Sequence, residues 1–191
     1  MIRISSGQFK GALLTAPRSI RPTEARVRQA LFNILQHVIA GSVVLDGFAG
    51  SGALGIEALS RDAKRVTFLE QDNASIIAIR DNLDRLGDRL PRAAWRVMQS
   101  DVERGIELLA QEGQRFDVIF LDPPYGGGEA IRALNALARY VMLAPAGFLA
   151  VEHHRRDILP ASAGSIKQLK QHRYGETVLS LYQAAPEATT L

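Results

Sequence analysis

From Gly41 onward the apolar positions fall into two alternating patterns. Compact apolar runs close to residues 43–47, 65–70, 94–99, 116–122 and 147–153 read as strands. Longer segments between them, at about 53–61, 73–86, 102–111 and 128–142, read as helices. Strands joined by helices predict right-handed crossovers and a mainly parallel sheet with both faces covered. Two more strands, 166–172 and 177–183, are separated only by Arg173-Tyr174-Gly175-Glu176. That is too little chain for a helix, so an antiparallel hairpin is expected at the end of a seven-stranded sheet.

The first forty residues differ. Residues 2–5 and 12–15 suit two short strands around Gly7 and Gly11, forming a hairpin-like arm. Pro22-Thr23 then opens a helix running to about His37, with Val27, Ala30, Leu31, Ile34, Leu35 and Val38 on one face. The expected division is therefore 1–40, a basic arm and helix, and 41–191, the main domain.

Charge sharpens that division. Residues 1–40 carry Arg3, Lys10, Arg18, Arg21, Arg26 and Arg28 against the single acid Glu24, a net +5. The whole chain is only +3, which leaves −2 for residues 41–191. A basic segment on a near-neutral body suggests an anionic partner, and Arg3, Lys10, Arg21, Arg26 and Arg28 are the candidate contacts. A solvated basic surface is the plainer reading. A second basic group, His154, Arg155, Arg156, Lys167, Lys170, His172 and Arg173, lies near the carboxyl-side strands.

Composition excludes several classes. The 191 residues, 47% hydrophobic and 23% charged, suit an ordinary globular domain. No apolar run reaches 18 residues, and Met1-Ile2-Arg3-Ile4-Ser5 lacks the apolar core of a signal peptide. With no cysteine there are no disulfides or thiolate metal sites, and the four histidines show no ligand spacing. A cytoplasmic, metal-free monomer is the expectation.

Asp122-Pro123-Pro124-Tyr125 closes the apolar run Phe116-Asp117-Val118-Ile119-Phe120-Leu121. Proline has no amide donor, so the ladder stops there. What remains is a carboxylate, a backbone carbonyl held rigid between prolines and an aromatic face. That set suits a planar amine, with two acceptors for its N–H groups and a ring to stack on it. A proline-rich turn is the alternative.

Val43-Val44-Leu45-Asp46-Gly47 leads into Phe48-Ala49-Gly50-Ser51-Gly52-Ala53-Leu54-Gly55 and a helix. A glycine-rich turn after the first strand is where open α/β sheets bind ligands. Gly50-Ser51-Gly52-Ala53-Leu54-Gly55 also matches the dinucleotide fingerprint, so an NAD(P) oxidoreductase is weighed. Asp46 argues against it. Its charge repels a pyrophosphate but suits the ammonium and sulfonium of S-adenosylmethionine (SAM). Glu70, ending the next strand, is placed for both ribose hydroxyls. Asp101 is placed for the adenine amino group, and is equally suited to capping the helix that starts at Val102. The candidate cofactor set is Asp46, Phe48, Ala49, Gly50, Ser51, Gly52, Glu70, Gln71, Asp101, Val102 and Asp122.

The strand-and-hairpin layout is similar to class I SAM-dependent methyltransferases, a Rossmann-like α/β fold. The chain further resembles the RsmD-like family of 16S ribosomal RNA guanine-N2 methyltransferases. The segments Arg3 to Gly11, Arg21 to Leu35, Asp46 to Arg61 and Asp122 to Tyr125 carry the likeness, which spans almost the whole chain. Gly47 departs from the bulkier residue usual at that point. The resemblance implies SAM-dependent methylation of one guanine in 16S rRNA, within the small ribosomal subunit or its assembly intermediates. Asp122, Pro123, Pro124 and Tyr125 are then the expected catalytic residues. A DNA adenine or cytosine amino-methyltransferase and a non-catalytic RNA-binding assembly factor are the alternatives.

Overall fold

The computed structural model describes residues 1–17 and 25–185. An arm of two short strands, β1 (Ile2–Arg3) and β2 (Leu13–Leu14), precedes helix α1 (Ala25–Ile34). Then come β3 (Val43–Gly47), α2 (Ala53–Ser60), β4 (Arg65–Glu70), α3 (Asn73–Asp84), β5 (Trp95–Gln99), α4 (Val102–Gln111), β6 (Phe116–Leu121) and α5 (Glu129–Arg139). The chain ends with β7 (Leu143–His154), β8 (Ser162–Ala163), β9 (Ile166–Tyr174) and β10 (Thr177–Ala184).

The main sheet has the order β5-β4-β3-β6-β7-β10-β9-β8. β3, β4, β5, β6 and β7 pair in parallel, while β10 runs antiparallel to both β7 and β9. This is the class I SAM-dependent methyltransferase arrangement, with the second strand of the terminal hairpin inserted beside β7. The sheet gains one strand over the seven expected. β8 is a two-residue edge strand antiparallel to β9, too short to leave a pattern in the sequence.

Successive strand residues feed opposite faces, as the pleat requires. Val44, Val66, Phe68, Val118 and Phe120 pack with α2, α3 and the N-terminal elements. Leu45, Leu69, Ile119 and Leu121 pack with α4 and α5. Two element ends differ from expectation. α1 stops at Ile34, and residues 35–41 form turns. β7 begins at Leu143 rather than 147 and is irregular near Ala146, which takes φ 58°.

The arm is built into the main core. Ile2, Ile4, Phe9, Leu14, Leu31 and Phe32 share one apolar cluster with Ile56, Phe68 and Phe120. At Gly7 (φ 78°) the arm passes so close to α2 that a Cβ would lie 1.6 Å from the Ser60 carbonyl oxygen. Only glycine meets both demands. The Gln8 amide donates to that same oxygen at 2.7 Å, and the Thr15 amide donates to Asn82 Oδ1 on α3 at 2.9 Å.

Because β3, β4, β5, β6 and β7 are parallel, their carboxyl ends share one rim. The turn from β9 into β10 reaches the same rim. The candidate chemistry collects there.

Candidate active site

Each predicted loop leaves a strand end and converges on one cavity of about 640 Å³. Asp46, Phe48, Ala49, Gly50 and Ser51 enter it from β3, Glu70 and Gln71 from β4, Asp101 and Val102 from the start of α4, and Asp122 to Tyr125 from β6. Gly52 is not among its lining residues. It serves instead as the left-handed N-cap of α2 (φ 76°). That volume is ordinary for a cofactor pocket.

The loop after β3 is tightly constrained. Phe48 takes φ 63°, a left-handed conformation rare for a bulky residue and a form of strain found at ligand sites. A Cβ on Gly55 would lie 2.2 Å from the Phe68 ring, so the last glycine of the fingerprint lets α2 pack on the sheet. Gly47 is less constrained, since a Cβ there would meet only the movable end of the Leu121 side chain, Cδ2, at 2.8 Å.

The acids occupy adjacent strand ends. Asp46 is 1% exposed, and its Oδ2 accepts from the Gly55 amide at 2.8 Å. Burial pushes its pKa well above the usual carboxylate range, with Asp122 and Glu70 adding like-charge repulsion. A cation entering the cavity relieves that repulsion. Glu70 Oε2 accepts from the Gly50 amide at 2.7 Å, and its Oε1 accepts from the Gln71 and Asp72 amides at 2.8 Å. The glycine loop is thereby tied to the end of β4. Asp101 does cap α4, its Oδ1 accepting from the Arg104 amide at 2.9 Å, while still lining the cavity. Asp72 caps α3 through Ser75.

Tyr125 lies at the mouth, about one-third exposed. Its hydroxyl donates to Glu152 Oε1 at 3.0 Å and lies 3.0 Å from Thr177 Oγ1. Burial first, then the nearby acids, raise its pKa to about 12, so the phenol is neutral near pH 7. The His154 ring stands 5.7 Å from the Tyr125 ring. Glu152 and Thr177 also line the cavity, and neither is among the residues expected from the sequence. Glu152 had a readable signal, since it closes the apolar run Phe148-Leu149-Ala150-Val151 as Glu70 and Asp122 close theirs. Thr177 had none.

The basic candidates separate. Arg3, Lys10 and Arg26 are exposed, and the Arg26 guanidinium sits 5.5 Å from the Tyr174 ring centre. Arg21 lies outside the described residues. Arg28 corrects the expectation of a surface contact. It is 5% exposed, and its Nη2 donates to the Arg3 carbonyl at 2.9 Å, so it fastens the arm rather than facing a partner. Among the described residues no group of His, Cys, Asp and Glu is arranged to hold a metal ion. None of their helices is long and apolar enough to cross a membrane.

The donor set fits SAM. Acids at three strand ends suit a ligand with two positive centres and a ribose, and the loop offers no basic side chain for a pyrophosphate. Comparison with known proteins agrees. The family model described as "Conserved hypothetical protein 95" matches residues 2–183. Ribosomal RNA small subunit methyltransferase D of Escherichia coli K12 is 37% identical over 184 residues, covering 95% of this chain and 89% of that one. Its Haemophilus influenzae counterpart is 40% identical over 153 residues, covering 79% and 78%. The solved structure of a hypothetical protein from Thermus thermophilus superposes with a TM-score of 0.81 at 30% identity, covering 95% and 98%. With its sheet order, its acid-lined cavity and a family model matching nearly its whole length, the chain belongs to the Conserved hypothetical protein 95 family, the RsmD-like methyltransferases.

Proposed function

We propose that the chain transfers a methyl group from SAM to the exocyclic N2 of a guanine in small-subunit ribosomal RNA. The observation carrying this reading is the shared cavity. A buried, like-charge-crowded Asp46 stands on one side of it and Asp122-Pro123-Pro124-Tyr125 on the other. The relatives named for small-subunit rRNA methylation supply the substrate class.

When bound, SAM supplies a methyl group on a positively charged sulfur. Asp46 favours that charge and orders the turn through Gly55. Glu70 and Asp101 present acceptors for the ribose and the adenine. Asp122 and the Pro123 carbonyl accept the two N–H bonds of the guanine amine. Its lone pair is delocalised into the ring, so these bonds favour a more tetrahedral nitrogen and stabilise the charge that develops on it during attack. The proton that the methylated nitrogen must shed passes to the Asp122 carboxylate or to water. Tyr125 stacks on the base, and its hydroxyl contacts hold the ring in place. Orientation then supplies much of the rate. The target base must be splayed out of its surroundings to reach the cavity. Arg3, Lys10 and Arg26 hold phosphates, which positions the RNA without specifying its sequence.

The test is methyl transfer from labelled SAM to naked small-subunit rRNA, to small subunits lacking base methylation and to duplex DNA. The modified nucleoside is then identified by mass spectrometry. N2-methylguanosine from RNA or subunits is the expected product. Label only in DNA would overturn the substrate, and no label in any of the three would overturn the activity.

A further inference from the structure

We infer that Glu152 is a specificity-determining residue that reads the N1–H of the target guanine beside the amine held by Asp122. The inference rests on the N2-methyltransferase reading above.

The topology puts the two acids side by side. β6 and β7 are parallel neighbours in register at Leu121 and Val151, so Asp122 and Glu152 are the next residues on adjacent strands. Strand neighbours stand about 4.8 Å apart. Both side chains line the same cavity. Glu152 is 7% exposed and continues the row of acids at the ends of β4, β3 and β6 one strand further from the glycine loop. On the reading above, which puts the guanine amine at Asp122, that position is on the amine side of the cavity.

The chemistry of guanine matches this pair. Its N1–H and N2 amine are adjacent donors on one edge of the ring. Two neighbouring carboxylates are acceptors for that edge. Adenine presents a lone pair at N1, which a carboxylate repels. Asp122 and Pro123 alone bind any planar amine, so they do not select guanine. Glu152 adds the selection.

Support of Tyr125 does not by itself call for a carboxylate. A neutral acceptor satisfies the tyrosine hydroxyl, and Thr177 offers one at 3.0 Å. A carboxylate has about four lone-pair directions, so holding Tyr125 and receiving a guanine N1–H are compatible. The Tyr125 bond fixes the Glu152 carboxyl relative to the stacking ring, which ties edge recognition to base alignment.

The experiment uses small-subunit RNA carrying guanine or 2-aminopurine at the methylated position. 2-Aminopurine keeps the amine but has a lone pair at N1. Wild type is expected to favour guanine by about 10- to 100-fold in kcat/KM, the value of a hydrogen bond to a charged group. Glu152→Gln is expected to move that ratio towards one, because its amide can turn an N–H to the N1 lone pair. Thr177→Val removes the other Tyr125 partner and should leave the ratio unchanged. SAM titration and thermal melting verify that the variants are folded. Equal use of both bases by wild type would overturn the inference whether or not any variant folds. So would an unchanged ratio in folded Glu152→Gln, even with both rates lowered. Failure of wild type to methylate the guanine-bearing RNA would instead overturn the function on which the inference rests.

Discussion

Two buried carboxylates, Glu57 on α2 and Asp46 on β3 just before it, have opposite surroundings. Glu57, fully buried, accepts from the Ser5 amide, the Ser5 hydroxyl, the Ser6 amide and Arg61 Nε at 2.7–3.1 Å. Asp46, almost as buried, accepts from the Gly55 amide, and burial together with Asp122 and Glu70 raises its pKa well above normal. A carboxylate surrounded by donors is a fastening, and Glu57 ties the arm to the domain. A carboxylate crowded by its own kind is a place for a cation to arrive. Burial alone does not distinguish structure from site. The sign of the neighbours does.

The largest effects test whether the crowded acids are catalytic. Asp122→Ala is expected to lower methyl transfer about 10³-fold, comparable with removing a preorganised group that stabilises developing charge. SAM binding should change only a few-fold, which calorimetry would record. Turnover close to wild type would remove Asp122 from the chemistry and leave the acid row without a function. On the other side, Glu57→Ala should cost about 3 kcal/mol in chemical denaturation, because it leaves two backbone amides without their acceptor and Arg61 without its ion pair. The same variant should expose the arm to limited proteolysis near Ser5 and Ser6. A loss below about 1 kcal/mol would break the contrast from the structural side.

Much of this was legible beforehand, and unevenly so. The β3 loop and the Asp122 to Tyr125 turn could be read because glycine, proline and acids at strand ends have few bland explanations. The alternating strands and helices could be read because apolar runs repeat in order. Glu57 could not be read, since its partners Ser5 and Ser6 are some fifty residues away and one acid inside a helix carries no signal. Arg28 was misplaced for a related reason. A basic residue near a helix start looks exposed until the arm closes over it. Phe48's left-handed backbone and the β8 edge strand leave no trace in composition or period, and Thr177 joins the site only because β10 inserts beside β7.

A smaller effect tests Asp46 directly. Its raised folded pKa means that the native chain holds this proton more tightly than the unfolded chain. Its contribution to stability is therefore complete below the unfolded carboxylate pKa. It is lost as pH rises through the raised folded pKa. Asp46→Asn removes the charge and can keep the Gly55 bond. The variant without cofactor should be more stable than wild type near neutral pH, by about 1.4 kcal/mol for each unit of the shift. The advantage should vanish in acid. SAM affinity follows the opposite sign. Wild type should bind less tightly as pH falls below the raised pKa, since the cation needs the ionised form, and the variant should bind weakly throughout. Paired melting curves and titrations across pH would decide it, and parallel curves for the two proteins would remove Asp46 as the source of the crowding.

The smallest effect carries the same distinction from acids to bases. Arg26 is exposed beside Tyr174, whereas burial lowers the Arg28 pKa against the opposing pull of Glu57. A guanidinium on the surface can release counterions from RNA, and one spent on the Arg3 carbonyl cannot. Arg26→Ala should weaken RNA binding a few-fold and lower the slope of log affinity against log salt by about one. Arg28→Met, measured where it is still folded, should leave that slope unchanged while lowering the melting temperature. If both variants shifted the slope equally, Arg28 would have to leave its buried position when RNA binds, and the arm would then be a moving part of the interface rather than a fixed part of the core.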